Sequence, residues 1–276
     1  MTNAMKTIKY LAMALAIFLA VSIISGIVMG ISSIGRVFEI GSNDKEDSNL
    51  EIKEISKISD AKILNVDVGM VNIIIKRGDN FRAESSNEYI EARQDNDILY
   101  IKERSHNFKG TYGGDLIIYV PEDYLFDIVK IDNGAGKIDI EEINTRKIDL
   151  DLGAGRVNIK KMFVKVAGKI SSGAGELTIT DSEINEMDFD MGAGKVTINA
   201  KITGDSEIDA GVGALNLNLY DSEEDYQIKV DKGIGKITYI DREVTSGTYG
   251  NGVNEIDIDG GIGTIKISFL ENKIQR

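Results

Sequence analysis

The sequence predicts an all-β fold: a parallel β-helix or β-solenoid with about 20 residues per coil, preceded by one N-terminal transmembrane helix. Three observations carry this. The phrase Gly-x-Gly recurs seven times, starting at Gly134, Gly153, Gly173, Gly192, Gly211, Gly233 and Gly261, at offsets of 19, 20, 19, 19, 22 and 28 residues. Every copy is followed by alternating aliphatic and polar residues, as in GAGKIDI, GAGRVNI and GAGKVTI. A fixed period with a strand pattern in each copy is the signature of a solenoid, whose coils bury their apolar sides only against neighbouring coils. Thirdly, an uncharged run from Tyr10 to Ile31 lies between Lys6 and Lys9 on one side and Arg36 on the other.

Taken from the N-terminus, residues 1–40 form a cytoplasmic start and a signal anchor spanning about 10–31. At about 1.5 Å per residue this run makes roughly 33 Å of helix, enough for a hydrocarbon core of about 30 Å. A cleaved signal peptide is the alternative; its apolar stretch is usually about 7–15 residues, and Ala20-Val21-Ser22 is the nearest cleavage pattern. Lys6 and Lys9 keep the N-terminus in the cytoplasm, which places everything after the helix outside. Residues 41–60 are a polar linker or cap, in which the three-residue spacing of Ile52, Ile55 and Ile58 suits either a short helix or an irregular tether.

Residues 61–276 form the solenoid repeat domain. Its opening section reads as strands in KILNVDVGMVNIIIK, DILYIKER and DLIIYVPEDY, with hairpin-like turns at Arg77-Gly78-Asp79-Asn80 and Tyr112-Gly113-Gly114. Pro121, the one proline, lacks an amide donor and ends a strand at a corner. In the regular section the alternation reverses across each glycine pair: Ile148, Leu150, Leu152 and Ala154 share one parity, whereas Val157 and Ile159 share the other. The chain therefore turns or bulges there if both sets face inward. This assigns a structural turn to Gly134 and Gly136, Gly153 and Gly155, Gly173 and Gly175, Gly192 and Gly194, Gly211 and Gly213, Gly233 and Gly235, and Gly261 and Gly263. The intervening residue grows from Ala135, Ala154, Ala174 and Ala193 to Val212, Ile234 and Ile262, as in an interior that widens. The wider late spacing predicts protruding loops such as DREVTSGTYGNG, with ENKIQR and the segment before Lys62 capping the ends.

Composition narrows the chemistry. The chain has no cysteine, no tryptophan and one histidine, His106 in an exposed loop, which removes thiolate catalysis and sulfur-ligated zinc. A net charge of −13 repels nucleic acid and anionic headgroups. The Gly-x-Gly units are followed by strands, not by the helix N-terminus that a phosphate loop needs. A nonapeptide calcium roll fails on spacing, because its repeat is about nine residues long with aspartate inside it.

Two residues before each glycine pair stand Asp132, Asp151, Ser171, Asp190, Asp209, Asp231 and Asp259, with Asp67 in a degenerate early copy. They form an outward ladder in which carboxylates repel, raise one another's pKa or recruit cations. Alternatively each caps amides at its turn and is offset by Lys137, Arg156, Lys195 and Lys236. A second outward ladder runs through Asp139, Asn158, Thr178, Thr197, Asn216, Thr238 and Lys266. No acidic cluster breaks the repeat, as a polysaccharide hydrolase with two distinct carboxylates would require, so no catalytic residue and no cofactor is assigned.

From Lys62 onward the chain resembles the bacterial putative-adhesin family of β-strand repeat proteins, built on a domain of unknown function. The residues that carry the resemblance are NVDVGMVNIII, DILYIKE, the passage DLIIYVPEDYLFDIVKIDNGAGKIDI and the later GAG repeats, about three quarters of the chain. The resemblance implies a right-handed parallel β-helix-like fold on an envelope protein, often with an N-terminal membrane segment, and brings no catalytic residues. The expectation is a single-pass protein of a bacterial cell membrane whose solenoid lies outside the cytoplasm. It would act without catalysis, by binding or as structure, as an adhesin or an accessory to envelope-stress signalling. Its partners would be the membrane, through the N-terminal helix, and an envelope protein or glycan, not nucleic acid. An enzyme acting on cell-wall or extracellular polysaccharide and a cation-stabilised rod are the alternatives.

Overall fold

The computed structural model describes residues 52–57, 60–104 and 113–271. The run Tyr10–Ile31, most of segment 41–60 and His106 lie outside them. Among the described residues no helix is long and apolar enough to cross a membrane.

The opening section contains β1 (Lys53–Lys57), β2 (Ile63–Met70), β3 (Asn72–Arg77), β4 (Arg82–Ser85), β5 (Ile90–Asp95), β6 (Ile98–Glu103) and β7 (Asp115–Val120). The regular section follows with β8 (Leu125–Ile140), β9 (Ile143–Ile159), β10 (Met162–Asn185), β11 (Met187–Thr203) and β12 (Asp205–Tyr220). After one 3₁₀ turn (Glu223–Asp225) come β13 (Tyr226–Asp231), β14 (Ile234–Tyr239), β15 (Arg242–Val244), β16 (Gly247–Gly250) and β17 (Asn254–Leu270). All belong to one hydrogen-bonded sheet.

Strands β8 to β12 stack in parallel and in chain order, with Gly136, Gly155, Gly175, Gly194 and Gly213 in register. Apart from β11 with β12, which pair in two runs, each of these coils pairs with the next in three. In β10 these are Met162–Val164, Ala167–Ser172 and Ala174–Ile179, separated by a register shift and by the glycine corner. The expected parity reversal is present: Ile148, Leu150 and Leu152 are buried before the corner, Val157 and Ile159 after it. Inward residues form continuous columns, such as Ile131, Leu150, Ile170, Phe189, Ile208, Ile258 and Val230, each within 1% of full burial. Removing such stacked aliphatic area from water supplies the main stabilisation, at roughly 25 cal/mol per Å².

The corner itself explains why glycine is required. Gly155 sits at φ +149°, and a Cβ there would lie 1.9 Å from the Gly136 carbonyl oxygen of the coil beneath. No side chain fits between backbones that approach so closely. The intervening residue points outward, contrary to the widening-interior expectation: Ile262 is 43% and Ile234 73% exposed. Its size is therefore free of core packing.

Chain order and stacking order differ at both ends. The coil formed by β2 and β3 lies between β8 on one side and β6 with β7 on the other. At the far end β17 inserts between β12 and the β13–β14 coil, so Gly263 pairs with Gly213 and with Gly235. The last two coils have exchanged places. The end layers are then closed by antiparallel strands: β5 on β6, β4 on β7, β16 on β13 and β15 on β14. These short strands cover the open edges that would otherwise template further pairing.

Several expectations are corrected by this arrangement. The segment DREVTSGTYGNG supplies the capping strands β15 and β16 in place of a protruding loop. Of ENKIQR only Glu271 is described, and the expectation that this segment caps an end lies outside the described residues. Lys53–Lys57 is a strand on β4, neither helix nor irregular tether. The turn after Arg77 does not make a hairpin either, because β4 lands on β7 instead of β3. Val120 ends β7 immediately before Pro121, as expected. Aromatic rings fill both ends of the core: Phe81, Tyr124 and Phe126 at one, Tyr226, Tyr239, Tyr249 and Phe269 at the other.

Candidate functional site

The predicted aspartate ladder is formed by backbone register. Asp67, Asp132, Asp151, Ser171, Asp190, Asp209, Asp259 and Asp231 stand on successive rungs of one outer face, in that spatial order. Parallel rungs are about 4.8 Å apart, so carboxylates of like charge are held within strong interaction range. The Asp132 carboxyl is raised above its usual pKa, first by partial burial against its neighbours and then by Asp151 and Asp67. Asp209 is raised likewise, by partial burial and then by Asp190 and Asp259.

The two local explanations for these aspartates do not hold among the described residues. Asp132, Asp151, Asp190, Asp209, Asp231 and Asp259 accept from no backbone amide and close no ion pair; only Asp67 has a lysine, Lys102 at 3.6 Å. The basic residues after the glycines pair elsewhere on their own face. Lys137 meets Asp139 at 2.6 Å, Arg156 and Lys195 both reach Glu176, and Lys236 meets Glu243 at 3.1 Å. The glycine corner turns the two columns onto different faces, which sequence proximity conceals.

Beside the aspartates runs a mixed column: Lys130, Asp149, Lys169, Asp188, Glu207, Asp257 and Lys229. Three pairs close along it, Lys130–Asp149 (3.3 Å), Lys169–Asp188 (3.2 Å) and Lys229–Asp257 (2.7 Å). The mixed column, and not the aspartate ladder, borders an open groove of about 760 Å³ whose walls include Lys147, Asp149, Lys169, Asp188, Glu207 and Asp257. Carboxylate oxygens of Glu207, Asp209 and Asp259 converge within 4.8 Å of one another. Oxygen donors suit a hard cation, but calcium takes about six to eight of them, and three exposed carboxylates are far short of that shell. The convergence is an electrostatic property of the face.

The second expected ladder is also in register: Asp139, Asn158, Thr178, Thr197, Asn216, Lys266 and Thr238. Asn216 Nδ2 donates to Thr197 Oγ1 at 3.5 Å, and one position pair further along Asn218 Nδ2 donates to Asn199 Oδ1 at 2.6 Å while Ser268 Oγ donates to Asn218. Asn199, Asn218, Ser268, Thr197 and Asn216 thus hydrogen-bond along the stack, as polar ladders on parallel rungs do. A further network, not foreseen from sequence, ties Arg77 to Glu122 and Glu142, with Lys161 3.7 Å from Glu142. Burial alone would raise the Glu142 carboxyl, and the Arg77 guanidinium, the Asn144 amide and Lys161 together more than reverse this. It joins β3 to the corner after β8 across 65 residues of sequence, a separation that no local pattern reveals.

Parallel in-register coils, a glycine corner on each and polar ladders outside define the molecule as an all-β solenoid-like repeat protein. It belongs to the Toastrack DUF4097 family, whose model matches residues 61–244. Its structure is similar to that of a putative cell adhesion protein from Clostridium sporogenes ATCC 15579, with 16% identity over 80% of this chain and 98% of that one and a TM-score of 0.36. It is also similar to a putative adhesin from Bacteroides fragilis NCTC 9343 (14% identity, 78% and 95% covered, TM-score 0.34). A putative adhesin from Parabacteroides merdae ATCC 43184 is a third such structure (13% identity, 79% and 95% covered, TM-score 0.36). No curated protein matches the chain.

Proposed function

We propose that this protein is a membrane-anchored module of the bacterial cell envelope, displayed outside the cytoplasm, that works by binding and not by catalysis, as an adhesin or as an accessory to envelope-stress signalling. The observation that carries the reading is the carboxylate column on one outer face, interrupted only at Ser171, in which six aspartates close no ion pair within the described chain. An open, periodic column of one charge sign suits extended contact with a partner, since its rungs repeat the same chemistry over several coils. The same charge disfavours nucleic acid and anionic lipid.

Anchoring rests on the apolar run Tyr10–Ile31 and on Lys6 and Lys9 before it. An uncleaved helix here would hold the repeat domain at the outer surface of the membrane. Protease added to intact cells tests display and anchoring together. Degradation of the repeat domain, with an N-terminal fragment left in the membrane fraction, is the expected result. A domain that resists protease until cells are broken and fractionates with the cytosol overturns the proposal.

A further inference from the structure

The repeat is broken in one column, the outward residue between the two corner glycines. Ala174, Ala193, Val212, Ile262 and Ile234 stand there on successive rungs. Ile262 is 43% exposed and Ile234 73%, so neither is enlarged to fill the core. The corner accepts alanine on four coils, so its geometry does not demand the larger side chains. Because the last two coils exchange places, Ile262 sits between Val212 and Ile234, and the three make one continuous apolar ridge.

Three positions upstream in the same coils lie Asp209, Asp259 and Asp231 on the adjoining face, with Asp190 below and Glu207 and Asp257 beside them. The nearby cations are Lys229, Lys232 and Lys236; Lys229 pairs with Asp257 and Lys236 with Glu243. The rim of the ridge is therefore anionic. Two ridges meeting about a twofold axis would bring like charges together, which disfavours a second copy as occupant, and the same sign repels an anionic bilayer.

We propose that the ridge Val212, Ile262 and Ile234 with its aspartate rim is a docking surface for a cationic amphipathic peptide segment. Rungs about 4.8 Å apart nearly match the 5–6 Å between side chains at i and i+4 on a helix. A helix lying across the strands can thus set successive aliphatic residues against successive rungs while its lysines or arginines face the carboxylates. The inference rests on the binding role above and names its partner class. Contact is measured on purified protein, so it can fail while display on cells holds, and the reverse.

The test uses the full chain in zwitterionic nanodiscs, with empty discs subtracted, and a dye-labelled 18-residue peptide of leucine and lysine patterned as an amphipathic helix. A permuted peptide of the same composition, oligolysine and a leucine–glutamate analogue are the comparison probes. Binding of the patterned cationic peptide is expected. It should weaken about tenfold or more in Ile234→Ala/Ile262→Ala, which restores the residue of the other coils. Asp209→Asn/Asp259→Asn should weaken it and flatten its salt dependence, whereas Asp139→Asn on the opposite side of the glycine corner should not. Equal binding of the permuted peptide or of oligolysine, an unchanged affinity in the isoleucine variant, or no binding at all overturns the proposal.

Discussion

Replacing Gly155 by alanine should damage the stack far more than a glycine-to-alanine change usually does. The added Cβ would lie 1.9 Å from the Gly136 carbonyl oxygen and 3.0 Å from its carbon, both backbone atoms with no rotamer to yield. Restoring a contact of about 3.0 Å requires the two coils to part by roughly 1.1 Å at that corner, which takes ladder hydrogen bonds beyond their usual 2.7–3.2 Å. Two such bonds at about 1 kcal/mol each, with about 1–3 kcal/mol for holding a side chain at φ +149°, give a loss of roughly 3–5 kcal/mol. Two other glycines separate the terms. Gly113 has φ +112° with nothing within 4 Å of its Cβ position, so Gly113→Ala should cost only the conformational part, about 1–2 kcal/mol. At Gly247 the nearest atom is 3.5 Å away, and Gly247→Ala should be neutral or slightly stabilising. Urea unfolding followed by far-UV circular dichroism ranks the three. A midpoint for Gly155→Ala at or above that of Gly113→Ala would refute the close-approach argument.

The raised pKa values of Asp132 and Asp209 mean that their contribution is fully present below the unfolded aspartate value of about 3.9 and is lost as pH rises through the folded value, so urea resistance should increase on acidification from pH 7. Glu142, held below its usual pKa, works the other way and loses its contribution as pH falls through its own folded value, so the gain should reverse at lower pH; a monotonic curve in Asp209→Asn and wild type alike would exclude the ladder as its source. Phe189→Ala empties a fully buried position in the central column and should cost about 3–5 kcal/mol in urea titration, whereas a cost below 1 kcal/mol would mean the column is not packed as described. Replacing residues 241–250 by a short flexible link removes β15 and β16 and uncovers β13 and β14; light scattering should then show concentration-dependent association, and a monodisperse monomer would show that these strands do not protect the edge.

How much of this was readable beforehand follows the range of each interaction. The corner glycines, the inward parity on each side of them and both outer ladders depend on a residue and its equivalent one coil away, so a period near 20 places them correctly. Stacking order at the ends is different. Nothing local marks that β17 inserts above β12, because Gly261 and Gly233 carry the same phrase and either could pair with Gly211. Capping by Arg242–Val244 and Gly247–Gly250 was hidden for the same reason: a long spacing signals inserted residues but not where they land. The outward direction of Ile234 and Ile262 was lost because alternation fails at the corner itself, where two glycines interrupt the period of two.

The exchanged coils carry Ile262 and Ile234 of the apolar ridge, and their order can be measured directly. The chain has no cysteine, so pairs of cysteines can be introduced without background. Adjacent rungs are about 4.8 Å apart and alternate rungs about 10 Å, while a disulfide needs Cα atoms within about 7 Å. Under mild oxidation Val212→Cys/Ile262→Cys and Ile262→Cys/Ile234→Cys should crosslink and Val212→Cys/Ile234→Cys should not. Efficient crosslinking of 212 to 234, with none between 212 and 262, would contradict the exchanged order.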